Sequence, residues 1–295
     1  MKINKLVSIL VLAGMAAAPS AVFAQAQKAK SPKQEAAATK AAKQDYSFLN
    51  GKTGAVTFIN LSEENFKAII NKRLGSKIEK FIYNDSLTGN LSMLKSGRVD
   101  FVLTPNISAD YITQRNMDFK SVIFPIDNNL VMMLRNSDVK LRDSFDSAIG
   151  KLKASGKLNE LYKKWITELP AGQEPAMPKV EKTSYPETIY VGVSGDLPPL
   201  DYVAADGKPA GYNIALLAEI SKTIGKNIEI ISVDSQARLT ALQSKKIDVF
   251  FWTVRPNSKL QENFNKKMAG AGQVTQKYII TKPYCVVKAA VLLKK

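Results

Sequence analysis

The sequence predicts an α/β fold of two lobes, each a β-sheet flanked by helices. Three observations carry that expectation. The first is an internal echo: NLSMLKSGRVDFVLTPN (90–106) returns as ARLTALQSKKIDVFFWTVR (237–255), with Leu91, Leu94, Ser96, Val99 and Asp100 matching Leu239, Leu242, Ser244, Ile247 and Asp248 at one offset of 148 residues. Each copy reads as the end of an amphipathic helix, a short turn, an Asp, and an apolar run without alternation, the pattern of a buried parallel strand. The second is that the echo extends upstream. A strand at 53–59, a helix at 62–74, Gly75 and a strand at 77–83 are answered by a strand at 188–194, a helix at 213–224, Gly225 and a strand at 227–233. The third is the alternation itself, because two β-α-β-α-β units in one chain call for two lobes of similar build. Ligands of such sheets bind beyond the carboxyl ends of the strands, which directs attention to the residues after Val102 and Phe251.

In chain order, residues 1–24 carry Lys2 and Lys5, an apolar run, and Val22-Phe23-Ala24 before Gln25. That is the pattern of a secretory signal cleaved after Ala24, and a run too short to span a bilayer. No cysteine follows it, so a soluble periplasmic protein without a lipid anchor is expected. Residues 25–48 form an Ala/Lys/Gln tail with no hydrophobic period. The first unit occupies 49–122; Asn60 or Ser62 caps its first helix, with Glu63 and Glu64 in the first turn. After the strand 101–103, Thr104-Pro105-Asn106 reads as a break. Residues 123–169 hold a strand at 129–135 and two amphipathic helices, 141–152 and 158–165, split by Ser155-Gly156. Four prolines mark 170–187 as an extended linker. The second unit occupies 188–282, with a long loop at 195–211 and a polar loop at 256–275. A final strand at 286–293, within a last segment 283–295, closes the chain.

Composition removes whole classes of chemistry. The 295 residues contain no histidine and one cysteine, so imidazole metal sites, Ser-His-Asp triads, internal disulfides and multi-cysteine metal sites are excluded. Cys285 lies in an apolar run and reads as an inert buried thiol. The formal charge is +16, and +14 once the signal is removed. With no aromatic–basic stacking pattern or finger motif, this points to solubility and not to nucleic acid. No cofactor and no metal are called for.

Certain stretches carry a resemblance. The second unit, with VGVSGDLPPLDY (191–202), DGKPAGYNIALLAEI (206–220), RLTALQSKKIDV (238–249) and TKPYCVVKAAVLLKK (281–295), resembles the first lobe of the family 3 extracellular solute-binding proteins, the polar amino acid receptors of ABC importers. The first unit, with NGKTGAVTF (50–58), SMLKSGRVDFVL (92–103) and SGKLNELYKKWI (155–166), resembles the second lobe of the same family. The order is reversed, as in a circular permutant whose usual ends are joined through the proline-rich linker. The resemblance implies a two-lobe periplasmic-binding-protein-like fold. In it, 286–293 and 129–135 lie side by side as two crossing hinge strands, and Lys295 comes near Asn50. The rival arrangement is two fragments in tandem with no shared crossing.

The resemblance also implies a ligand held by an Arg, an Asp and aromatic rings, and here the chain departs from it. Pro105 stands where the Asp belongs, Leu260 where the Arg belongs, and Leu197 and Ser235 near the aromatic positions. The residues left near the expected cleft are Trp252, Thr253 and Arg255 after the second unit's strand, and Asp196, Leu200 and Asp201 in the long loop. Thr104 and Asn106 are expected to face them, and Asn60 and Ser62 to donate to an anion from a helix start. Arg255 suits a carboxylate or phosphate, Trp252 an apolar or planar group, and the two aspartates a cation or amine. Asp100 and Asp248 precede their strands and read as turn residues. The expected function is non-enzymatic: a monomeric receptor capturing a small polar or anionic metabolite between closing lobes for an ABC permease or membrane sensor. An enzyme of the dehydratase or lytic transglycosylase type, and a degenerate lobe pair for protein contacts, are the alternatives.

Overall fold

The computed structural model describes residues 45–57, 62–173, 175–177, 180, 182–256 and 277–295, with backbone only at 252 and 254–256. The signal segment, nearly all of the tail, and Asn60 and Leu260 therefore lie outside the described residues.

After a single 3-10 turn at Ser47–Leu49, the first unit forms β1 (Thr53–Thr57), α1 (Glu63–Leu74), β2 (Lys80–Asn84), α2 (Leu87–Lys95), β3 (Phe101–Pro105) and α3 (Asn106–Arg115). Local chemistry sets the boundaries. Ser62 Oγ accepts the Asn65 N–H to start α1, and Gly75, at φ 66°, ends it in the left-handed conformation that glycine adopts without strain. Ser86 caps α2 through the Gly89 N–H. The break expected at 104–106 is absent. β3 runs through Pro105 and α3 begins directly at Asn106, so the backbone at Thr104 and Pro105 is paired with Ala290 and Ala289 and is not exposed.

A long strand, β4 (Phe119–Arg135), leads to α4 (Val139–Ala154) and α5 (Lys157–Tyr162), which continues in a π-helical turn, Lys163–Thr167. The second unit forms β5 (Thr188–Val193), the short β6 (Asp196–Leu197), β7 (Asp201–Val203) and β8 (Pro209–Ala210), then α6 (Tyr212–Ile224), β9 (Asn227–Ser232), α7 (Arg238–Gln243) and β10 (Val249–Pro256). β11 (Tyr278–Ile280) and β12 (Cys285–Lys294) complete the chain. The stretch 195–211, expected as loop, folds into the small sheet β6-β7-β8. Gly225 ends α6 at φ 65° as Gly75 ends α1.

One nine-stranded sheet contains both units, in the order β2-β1-β3-β12-β4-β10-β5-β9, with β11 also on β4. Two compact fragments in tandem are thereby excluded, because β12 and β4 belong to both halves. The pairing of the crossing strands differs from expectation. β12 lies along the first part of β4, from Cys285 opposite Leu130 to Lys294 opposite Phe119, while 129–135 pairs chiefly with β10 and β11. A 17-residue strand spans about 56 Å at 3.3 Å per residue, long enough to take partners end to end. Its register against β12 shifts between Lys288 and Ala290, opposite Pro125, where a bulge accommodates the missing N–H. The folded ends lie close together: β1 and β12 flank β3 on either side, roughly two strand spacings or ~10 Å apart, and Lys295 N–H donates to the Asp118 carbonyl.

The largest apolar cluster joins both lobes, from Leu94 and Val102 to Trp165, Leu216 and Phe251. A second lies beneath α1, where Phe66, Phe81 and Phe101 meet Phe124 and Val291 of the crossing strands. Cys285 is buried in the first, and burial pushes its thiol up to about 12, so it carries no thiolate at neutral pH.

The repeated aspartates serve one purpose in both lobes. Asp100 N–H donates to the Thr53 carbonyl while its carboxylate accepts the Thr53 N–H at 2.8 Å and the Lys52 ammonium at 3.0 Å. Asp248 does the same for Tyr190, and its second oxygen takes Arg135 at 2.7 Å. Each aspartate thus clasps the first strand of its unit. Burial pushes the Asp100 carboxyl up, but the Thr53 N–H and Lys52 outweigh it and leave the group below the usual carboxylate range. A depressed folded-state value stabilises above the unfolded value of about 3.9 and ceases to do so as pH falls through the folded value. Asp100→Asn is accordingly expected to be less stable than wild type at pH 7, with the gap closing as denaturant midpoints are measured from about pH 4 downward. A gap independent of pH would overturn the assignment.

Candidate functional site

The carboxyl ends of the strands in the two lobes meet. On the first-unit side the chain leaves β2 at Asn84 and enters α2 at Leu87; on the second-unit side it leaves β5 into β6 and leaves β9 toward α7. Asp196, on β6, reaches across: its Oδ2 accepts the Thr88 N–H at 3.0 Å and its Oδ1 the Thr88 Oγ1 hydroxyl at 2.6 Å. The N–H groups of a helix's first turn have no partner within the helix, so a carboxylate there is favoured by both hydrogen bonds and dipole. Beside it, Ser235 Oγ donates to the Asp85 carbonyl at 3.2 Å. The strand-end loops of the two lobes are therefore bonded to each other directly.

Behind these contacts lies a buried polar knot. Asp201 is fully buried; its Oδ1 accepts Ser194 Oγ at 2.8 Å and Gly195 N–H at 2.9 Å, and its Oδ2 accepts Asn213 Nδ2 at 2.8 Å. Burial pushes its carboxyl up, while these bonds and the charge of Arg238 pull the other way. Arg238 is itself buried, donates from Nη2 to Ser235 Oγ at 2.9 Å, and lies over the Phe250 ring at 4.3 Å. Burial lowers its guanidinium to about 10, against the pull of Asp201 and Asp85, and it stays charged at neutral pH. The knot therefore fixes the β5–β6 turn and presents Ser235 to the other lobe.

Of the residues singled out from the sequence, Asp196 sits at the junction of the lobes. Asp201 and Leu200 are each 0% exposed and form the floor of the loop, so a carboxylate expected to meet a cation or amine instead holds its own backbone. Trp252, Thr253 and Arg255 lie on β10, where Thr253 pairs with Val131 and Arg255 with Asn129 on the crossing strand. Ser62 is spent on the α1 cap. Thr104 and Asn106 do not face Asp196: Thr104 is buried opposite Ala290, and Asn106 Oδ1 accepts the Lys288 N–H of β12 at 2.7 Å. Asn60 lies outside the described residues.

Sequence reasoning missed Thr88, Asp85 and Arg238. Only Arg238 left a signal, because a cation in the first turn of a helix opposes the helix dipole and requires a compensating partner.

Residues 61–168 and 189–295 match the family model of the bacterial extracellular solute-binding proteins, family 3. No curated protein matches the chain in sequence. Similar solved structures include the ligand-binding component of an ABC-type import system from Staphylococcus aureus, 11% identical over 83% of this chain and 66% of that one, with a TM-score of 0.41. Others are the GluR0 ligand-binding core from Nostoc punctiforme in complex with L-glutamate (15% identity, 83% and 85% coverage, TM-score 0.37) and the BvgS VFT2 domain from Bordetella pertussis (12%, 82% and 80%, 0.38).

Proposed function

The chain belongs to the bacterial extracellular solute-binding proteins, family 3, and on that premise we propose that it is an exported receptor that captures a small polar or anionic solute between its two lobes. The observation that carries this reading is the direct bonding of the strand-end loops, Asp196 to Thr88 and Ser235 to Asp85, across the seam. A start of α2 that accepts a carboxylate from its own chain is chemically suited to a solute's carboxylate or phosphate in its place. Arg255, at the end of β10, is the cation assigned to the same solute, with Trp252 as its apolar wall. Handing the solute to an ABC permease or membrane sensor of the periplasm completes the proposal, as does an exported chain beginning at Gln25.

The reversed order of the units is read as circular permutation, supported by the shared strands β4 and β12 and by the close approach of the folded ends. An enzyme on this fold needs a free acid or base. Asp196 and Asp201, the acids named for that role, are both engaged in hydrogen bonds.

The test is a thermal-shift screen of carboxylates, phosphate esters, amino acids and amines against the exported chain. A solute present at a hundred times its Kd should stabilise it by about 2.7 kcal/mol. Arg255→Ala should weaken binding of an anionic hit by about 1.5–3 kcal/mol in calorimetry. A hit that binds equally well to Arg255→Ala would place the solute elsewhere. A complete absence of hits would favour the protein-contact alternative.

A further inference from the structure

A cavity of about 290 Å³ runs along α3, away from the α2 start, and is closed by the turn after α5 and by Pro199. Its walls thus come from both units. Its polar lining comes from Asn106, Asp110, Tyr111, Gln114 and Arg115 on α3, and from Tyr162 and Thr167 opposite. Neither Asp110 nor Gln114 has a side-chain hydrogen bond or ion pair among the described residues, although Asp110 is only partly exposed. In a chain of net charge +16, a half-buried carboxylate without a cation is unusual. The cation of the lining, Arg115, is committed elsewhere: it donates to the Tyr111 and Pro170 carbonyls at 3.3 and 3.1 Å and stacks over the Tyr111 ring at 3.6 Å. The Asp110 carboxylate lies close enough to raise the Tyr162 hydroxyl, after burial and Cys285.

We propose that this cavity binds a small organic cation, an alkylammonium or guanidinium compound, with Asp110 as its counter-charge and Tyr162 as an aromatic wall. The chemistry follows from the lining. One carboxylate beside an aromatic ring suits a cation with apolar surface, through ion pairing and attraction to the ring face. A bare divalent metal would need several oxygen ligands, and no group of three acidic or thiol side chains that could hold a metal occurs among the described residues. The inference goes beyond the capture of a polar or anionic solute at the α2 start and does not depend on it.

The experiment is calorimetry and thermal shift of the full exported chain with tetramethylammonium, cadaverine and agmatine chlorides, using sodium chloride at equal ionic strength as the control. At least one organic cation should bind saturably, and Asp110→Asn should weaken it at least tenfold while Glu64→Gln, at an exposed acid on α1, leaves it unchanged. Gln114→Arg supplies a second variant should Asp110→Asn fail to fold. It places a guanidinium four residues from Asp110 on the same helix face, where the two pair, and should also weaken binding at least tenfold. Binding of none of the three cations at 10 mM, or equal binding to the folded variants, would overturn the proposal. Anions that bind while the cations do not would overturn it too, and would leave the receptor reading standing.

Discussion

Asp201→Ala is expected to destabilise the protein by about 3–5 kcal/mol, the range for removing one partner from a buried charge network. The carboxylate receives three hydrogen bonds, from Ser194, Gly195 and Asn213, and removing it leaves all three donors facing a cavity. It also strips Arg238 of the larger of its two named acidic neighbours, leaving a guanidinium buried with Asp85 and the Phe250 ring. The measurement is urea denaturation, read as a fall in midpoint at unchanged slope. Asp201→Asn keeps an acceptor for Gly195 and should lose less than Asp201→Ala. Equal losses would mean that the charged carboxylate with both acceptor oxygens, and not the side-chain volume that Asn preserves, is what the site requires. A loss below about 1 kcal/mol would refute the buried-network account.

The second large effect is expected at Gly211, which precedes α6. Its φ is 114°, a region that residues with a side chain rarely adopt. An added Cβ would stand 2.4 Å from the Leu200 carbonyl oxygen and 2.8 Å from that of Pro199, both backbone atoms of a tight turn. Those same carbonyls accept the Asn213 and Tyr212 N–H groups, so neither can withdraw without unpairing the start of α6. Backbone strain of about 1–3 kcal/mol and overpacking of similar size predict that Gly211→Ala costs roughly 2–6 kcal/mol. Differential scanning calorimetry would register it as a drop in Tm. An unchanged Tm would show that the turn relaxes freely. Because Asn213 bonds to both the Leu200 carbonyl and the Asp201 carboxylate, the two substitutions share a partner. Combined, they should cost less than the sum of the single losses.

The lobe junction has a further consequence. Asp196 and Thr88 are 108 residues apart, yet bonds of 2.6 and 3.0 Å join them and tie β6 to α2. On the receptor reading proposed above, a carboxylate solute that took the Thr88 N–H would have to displace Asp196, and the chain's own side chain would set a threshold for weak ligands. Specificity would then rest on what a solute gains beyond replacing one carboxylate with another, the role proposed for Arg255 and Trp252.

What the sequence determined by itself is whatever local periodicity and capping encode. The offset between Asp100 and Asp248 announced two similar units, and both aspartates clasp a first strand as turn residues. Ser62, Gly75 and Gly225 marked helix ends because a cap depends on neighbours three or four residues away. The two-lobe α/β class followed from those units. What only the tertiary structure decided is everything that depends on a distant partner. Residues 119–128 did not read as strand, since Pro125 and Asp127 argue against it locally; they are strand because β12 lies alongside and β4 bulges at Pro125. The stretch 195–211 became a small sheet because Asp201, an apparent loop residue, is pulled inward by Ser194, Gly195 and Asn213. Asp196 read as a loop acid suited to a cation or amine, and the fold instead set the first turn of α2 against it. A carboxylate's chemistry is written in its residue type, but whether it meets water, a helix end or a buried arginine is settled by chain segments a hundred residues away.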